Sequence, residues 1–232
     1  MSGLDNPFWS SLNTRHAALA IRSGDTAARY PPEFAPFLGV ADAEVGADEA
    51  VTPLLASGDS VVLLGVAPKL SSAWHLETFR PLAQMVREQP LDVVDGPPVI
   101  ELDKSHRADV LALVALVYPH YFRPRTMALG RYFGIYVGGR LAAMIGERLG
   151  TDTHTEISAI CTHPDFTGRG YARRLTALLT NRTLTGGRTP FLHVSYENSR
   201  AKRMYDRMGY CERITIEHWS LRQRPGAAPP VT

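Results

Sequence analysis

Between Cys161 and Leu175 the chain reads CTHPDFTGRGYARRL. An alternating apolar stretch ends at Pro164, Gly168 and Gly170 bracket Arg169, and a basic run at helical spacing begins. A strand that turns through two glycines into a helix commits its surroundings to an α/β arrangement, because a sheet with helices packed on it is what houses such junctions. Two readings of the junction are open. The unpaired N–H groups and partial positive charge of a helix N-terminus suit a phosphate, and glycine lets it approach the backbone. Alternatively the glycines only make a tight turn, and Arg169, Arg173 and Arg174 form a solvated basic face. Two familiar phosphate loops do not fit. The dinucleotide fingerprint needs a third glycine where Arg173 stands, and the GK[ST] of a P-loop is missing.

The flanking segments agree with an α/β reading. VIEL at Val99–Leu102 predicts a short strand, and SHRADVLALVALV a helix with Val110, Leu111, Val114 and Val117 on one side. YFRPRTMALG is irregular or a short helix broken by Pro124. YFGIYVGGRLAAMIGERL predicts a hairpin turning at Gly138-Gly139. HTEISAICTHP predicts a strand with Glu156, Ser158, Ile160 and Thr162 on one face and Ile157, Ala159 and Cys161 on the other. Beyond the glycines, Tyr171, Leu175, Leu178 and Leu179 form a helical face ended by Gly186-Gly187. A strand, PFLHVSY, follows. Asn198 then caps a helix that carries Ala201, Met204, Tyr205 and Met208 and stops at Gly209. YCERITIEHWSL is a long final strand. The expected order β-α-(α)-β-β-β-α-β-α-β is a mixed α/β domain with an antiparallel portion.

The break QPLDVVDGPP at Gln89–Pro98 divides the chain. The expected domains are a small α/β domain over 1–94 and a larger one over 95–222, with a disordered Pro/Ala/Gly-rich tail over 223–232. In the first part DSVVLLGVAP reads as a strand and PLAQMVRE as a short helix. At 232 residues and 44% hydrophobic, two small domains or one large one have core enough. A net charge of +2 does not announce a nucleic-acid or membrane partner, and neither is expected. Two cysteines fit a reducing compartment rather than a disulfide scaffold. The eight histidines are scattered, so no metal is expected. The first residues lack a basic stretch followed by an apolar run, and no apolar run approaches the ~20 residues of a membrane span. A cytoplasmic protein is the expectation.

Thr167-Gly168-Arg169-Gly170-Tyr171-Ala172, together with HVSYENSRAKRMYDRMGY, resembles the GNAT superfamily of N-acetyltransferases, most closely its glycine N-acyltransferase-like branch. Gly170 and Ala172 fall on the small positions of the family's acyl-CoA loop, whereas Thr167 stands where Arg or Gln is usual. Asn198, Ala201, Tyr205, Gly209 and Tyr210 match the family's second segment. The resemblance covers Val99–Leu221. It implies the GNAT acyl-CoA N-acyltransferase fold, an α/β fold with a mixed sheet, preceded here by a small N-terminal domain that in such proteins often looks like a degenerate copy. It also implies an N-acetyltransferase that uses acetyl-CoA and acetylates a small-molecule amine or an amino acid by direct attack in a ternary complex. A homodimer is left open.

The resemblance assigns roles residue by residue. Thr167, Gly168, Arg169, Gly170, Tyr171, Ala172 and Arg173 would hold the pyrophosphate, and Arg174 would add charge. The backbone of Ile160, Cys161 and Thr162 would pair with the pantetheine arm, and Asn198 would contact the coenzyme as well as cap its helix. Glu156 is the candidate base, its pKa expected to rise in a partly apolar cleft; alternatively it is a solvated strand residue or binds substrate charge. Glu147 is the reserve base and a candidate substrate contact; apart from the resemblance, HYFRPRTM offers Arg123 and Arg125, which would receive a substrate carboxylate or else are surface charges. His154 and His193 are further candidates for the base. Tyr205 is the candidate general acid for the leaving thiolate, or else a core aromatic with a polar tip. Cys161 reads as a small buried residue facing away from Glu156. Two other functions remain open: a non-catalytic acyl-CoA-binding regulatory domain, and a protein-modifying acetyltransferase.

Overall fold

The computed structural model describes residues 2–118 and 121–225. Residues 226–232, most of the tail expected to be disordered, lie outside the described residues, but Gln223 is in a strand and the Arg224 N–H donates to Ala73 O at 2.8 Å. The chain forms two compact units, and neither is continuous in sequence. Of the described residues, one comprises 2–32, 36–82 and 215–225, and the other comprises 33–35, 83–118 and 121–214.

In the first unit, helix α1 (Pro7–Asn13) leads to strands β1 (Ile21–Ser23), β2 (Ala27–Arg29) and β3 (Leu38–Val40), which form a three-stranded antiparallel sheet. After the one-turn helix α2 (Ala47–Ala50), β4 (Ser60–Leu64) and β5 (Trp74–Thr78) flank the chain's last strand, His218–Gln223, as an antiparallel trio. Val61, Leu63, Trp74 and Leu221 from this trio pack with Ala27, Leu38, Val40 and Val51 into one core. Burial of each such side chain contributes roughly 1.5–3 kcal/mol. The first unit thus holds two three-stranded sheets.

The second unit is built on one seven-stranded sheet. Its strands are β6 (Leu82–Val86), β7 (Ile100–Leu102), β8 (Tyr132–Val137), β9 (Arg140–Gly150), β10 (His154–Thr162), β11 (Thr189–Ser195) and β12 (Cys211–Ile216), in the spatial order β12-β6-β11-β10-β9-β8-β7. Helices α3 (Arg107–Val117), α4 (Tyr171–Thr185) and α5 (Ser199–Arg207) complete it. The β8–β9 hairpin closes as its glycine pair requires: Gly138 and Gly139 have φ of 57° and 76°, and Val137 faces Arg140. The final alternating segment is not one strand. It divides at Glu217 into β12 and β13, the last strand, which belong to different sheets.

PLAQMVRE, expected as a helix, is strand β6, between β12 and β11. Its alternation is the reason. Ala83 and Met85 pack with Leu192, Val194, Tyr205 and Tyr210, while Gln84, on the opposite face, is also fully buried. This strand and the departure of β13 explain why the units do not divide at residue 94.

The two faces of the sheet carry separate cores. On one, Phe133, Ile135, Ile145 and Ile157 pack against Leu175 and Leu179 of α4. On the other, Tyr132, Met144 and Cys161 pack against Val110, Leu113 and Val114 of α3. Ile157 and Cys161 lie four residues apart on β10, so regular alternation would put them on the same face. They reach opposite cores because the register with β9 shifts between Ser158 and Cys161, where Ala159 adopts φ 52°.

Candidate active site

Strand β10 pairs in parallel with β11 only from His154↔Thr189 to Glu156↔Phe191. Both strands continue, to Thr162 and to Ser195. Cys161 and Thr162 keep their antiparallel partners Met144 and Ala143 on β9, so it is the β11 side of β10 that opens. The neighbouring strands therefore form a fork with its apex at Glu156, and one edge of Ile157–Thr162 is left for another chain-like group.

The apex is closed by a ladder of polar side chains, one from each of five adjacent strands. The Arg148 guanidinium (β9) donates to both oxygens of Glu156 (β10), at 2.8 and 2.7 Å. His193 Nδ1 (β11) lies 2.8 Å from Glu156 Oε1, close enough to donate. Gln84 Nε2 (β6) is 3.0 Å from His193 Nε2, and Gln84 Oε1 accepts from Arg213 Nε (β12) at 2.6 Å. The charge-assisted ends fix the amide and imidazole orientations: Gln84 donates to Nε2, and His193 carries its proton on Nδ1. The side chains of Glu156 and His193 are 1% and 3% exposed.

Glu156 was expected to have a raised pKa. Burial does push its carboxyl up, but the Arg148 charge and hydrogen bonds, with His193 beside them, more than reverse this and hold it at about 2. A carboxylate so held is a weak base. Cys161 is also placed differently from the expectation. The bulge at Ala159 brings it to the α3 face with Tyr132, whose phenol is influenced by both Glu156 and Cys161. Burial pushes the Cys161 thiol up to about 12, so it is no thiolate nucleophile.

The glycine loop is exposed, and Gly168 and Gly170 have φ of 79° and 77°. The first helical bond of α4 runs from Arg174 N–H to Gly170 O, which leaves the N–H groups of Tyr171, Ala172 and Arg173 without helical acceptors. Gly170→Ala is expected to cost about 1 kcal/mol from the left-handed backbone alone, since a Cβ there meets nothing within 4 Å. A thermal melt checks this, and a much larger loss would mean contacts beyond the backbone. Thr167, in the place of the usual Arg or Gln, turns its hydroxyl onto Pro164 O at 3.0 Å and so stabilises the turn itself. Arg169 lies over the Phe166 ring, 5.1 Å from its centroid, and Arg173 is exposed. Arg174 does not join them. It bonds Val94 O, while Asn181 bonds both the N–H and the carbonyl of Leu91, so these two side chains strap residues 91–96 to α4.

Asn198 Oδ1 accepts from Ala201 N–H at 3.1 Å and caps α5. Tyr205 is buried among Met85, Leu192, Val194 and Tyr210, and burial pushes its phenol pKa upward, so that it holds its proton at neutral pH. Ile160 packs on the Tyr205 cluster as well as on the α4 core. The fork strand and α5 are thus brought together.

The acceptor-side residues are not gathered in the same way. Glu147 is buried and accepts, at 3.4 Å, from the N–H of Arg131 rather than meeting Arg123. Arg125 is 3.5 Å from Glu33 and stacks on Phe34, so it is already engaged. Gln84, Arg148 and Arg213 escaped the sequence reading. The one sign was Gln84, a polar residue in the apolar run LAQMV. Among the described residues no His, Cys, Asp and Glu cluster could hold a metal, and no helix is long and apolar enough to cross a membrane.

Residues 132–220 match the family model of FR47-like proteins. A solved structure assigned to the GNAT acetyltransferase family, from Novosphingobium aromaticivorans, superposes with a TM-score of 0.85 at 28% identity, covering 97% of this chain and 100% of that one. A GNAT-family acetyltransferase from Colwellia psychrerythraea has a TM-score of 0.52 at 14% identity, over 64% of this chain and 57% of that one. A GCN5-related N-acetyltransferase-like protein from Streptococcus suis has a TM-score of 0.50 at 15% identity, over 80% and 78%. No curated protein matches the chain.

Proposed function

We propose that this chain, which has the GNAT acetyltransferase fold and an FR47-like domain, is an acetyl-CoA-dependent N-acetyltransferase acting on the amine of a small molecule or amino acid by direct attack in a ternary complex. The observation that carries this reading is the fork, because it leaves a strand edge open next to an exposed glycine loop and a helix N-terminus. The residues present fit the coenzyme. The free edge of Ile157–Thr162 would pair with the amide groups of pantetheine, the N–H groups of Gly168–Arg173 would receive the pyrophosphate, and Arg169 and Arg173 would add charge. Acetyl-CoA supplies the activated thioester.

The chain's own side chains divide the remaining tasks. His193 receives the proton of the acceptor amine through intervening water. The ladder holds Nδ1–H toward Glu156 and so presents the Nε2 lone pair to an incoming donor once Gln84 yields. Glu156 acts through His193, orienting it and compensating its positive charge. Tyr205 donates a proton to the departing thiolate, a role its raised pKa suits because the phenol is fully protonated beforehand. An N–H of the bulged segment around Ala159 would stabilise the oxyanion that develops on the thioester carbonyl.

Calorimetric titration with acetyl-CoA, beside desulfo-CoA and NADH, tests the first step. Micromolar binding of both coenzyme A derivatives and none of NADH is expected. A folded protein that binds neither derivative would remove the enzyme reading. Binding without turnover of any amine in a broad panel would favour the regulatory acyl-CoA-binding alternative.

A further inference from the structure

Tyr132 is 1% exposed, and among the described residues its hydroxyl has no hydrogen-bond partner. Buried polar groups are almost always paired, so a lone hydroxyl in a packed core marks a place where a partner from outside the chain belongs. The ring cannot easily turn elsewhere. Tyr132 sits directly opposite Gly146, and a Cβ at that glycine would lie 2.3 Å from the ring, so the missing side chain is the space the phenol occupies. The hydroxyl is on the α3 face, in the same cluster as Cys161, and its nearest charges include Arg148 and Glu156 at the apex of the fork.

The surroundings are aromatic. The Phe122 ring meets Tyr132 edge-on at 5.9 Å, and Tyr118 and Tyr121 pair at 6.1 Å with Arg148 close to both. Met127 packs on the same cluster. Leu116 and Tyr118, at the end of α3, are 55% and 52% exposed, so this end of the helix presents apolar surface to solvent. Arg148, the cation close to Tyr118, Tyr121 and Tyr132, is already neutralised by Glu156 in a bidentate pair. A ligand with its own carboxylate would find a hydroxyl and aromatic edges rather than an uncommitted charge.

We propose that this aromatic cluster is the acceptor subsite, that it takes a primary amine carried on an aromatic body, and that the Tyr132 hydroxyl makes the one buried hydrogen bond to that amine. The proposal rests on the acetyltransferase reading above. Amine N–H donates to Tyr132 Oη, the nitrogen lone pair is left free, and the body stacks against Phe122, Tyr118 and Tyr121.

The test is calorimetric binding of 2-phenylethylamine to the full chain saturated with desulfo-CoA, compared with glycine and spermidine, for the wild type and Tyr132→Phe. Expected is binding of 2-phenylethylamine at least tenfold tighter than of either other amine. Tyr132→Phe should weaken it about fivefold, the worth of one neutral hydrogen bond. Because that variant deletes only an unpaired hydroxyl, its thermal midpoint should stay level or rise, and desulfo-CoA affinity should not change. Preference for glycine or spermidine, no amine binding to the loaded protein, or equal binding by Tyr132→Phe would each overturn the proposal. A protein that does not bind desulfo-CoA at all fails at the earlier step, and the acetyltransferase reading falls with it.

Discussion

Glu156→Gln is expected to lower the rate of acetyl transfer about a hundredfold and the stability of the fold by about 3 kcal/mol. Both effects come from the same geometry. Glu156 accepts two hydrogen bonds from Arg148, one from His193 and one from the Leu149 N–H, in a place where its side chain is 1% exposed. An amide there leaves the Arg148 charge, itself 19% exposed, without its counter-ion, and removing one member of a buried pair costs far more than removing both. The imidazole also loses the anion that orients it. The double variant Arg148→Met, Glu156→Gln separates the two effects: stability should return to within about 1 kcal/mol of the wild type while the rate stays low. If the rate returns too, Glu156 matters only to the fold. The pH dependence carries the same signature. Because the folded pKa is depressed, from 4.5 to about 2, the stabilisation is complete above pH 4.5 and is lost as pH falls from there toward 2. Acid titration of the melting midpoint should show this loss in the wild type and not in Glu156→Gln.

Tyr205→Phe should lower kcat by about a hundredfold, as loss of a general acid does, and leave the coenzyme dissociation constant within about twofold. The ring fills the same volume and keeps its contact with Tyr210, 5.9 Å away between centroids, so the melting midpoint should hold. Single-turnover rates, measured with an acyl donor whose leaving thiol is far more acidic than coenzyme A, supply the decisive control. A thiol that leaves without help should recover most of the loss if Tyr205 protonates it. Equal defects with both donors, or kcat within threefold of wild type, would leave Tyr205 as a core aromatic.

How much of this was open to a reader of the sequence differs from element to element. The β8–β9 hairpin and the α4 and α5 helices were legible because their signals are local: Gly138-Gly139 must turn with positive φ, Asn198 caps, and Gly186 and Gly209 stop helices. The glycine loop was legible for the same reason. Strand β6 was not, since LAQMV is as compatible with a short helix as with a strand until Ala83 and Met85 find Val194 and Tyr205 across the sheet. The partition of the last segment between two sheets likewise depends on partners more than a hundred residues away.

The site divides along the same line. Residues whose role depends on their neighbours in the chain (Gly168, Gly170, Asn198, Tyr205) were marked by spacing and by resemblance. Those whose role depends on charge and burial were not. Glu156 could be placed on its strand from the sequence, but the direction of its pKa was decided by Arg148, eight residues earlier across a bulged strand pair, and by His193 from the next strand. Gln84 and Arg213 complete that ladder from positions 129 residues apart. By itself the sequence determined the local geometry: where strands turn, where helices begin, and where a phosphate would find unpaired N–H groups. Only the tertiary structure decided which buried polar groups meet, because electrostatic energy depends on distance and desolvation in space, and neither is written in the order of residues along the chain.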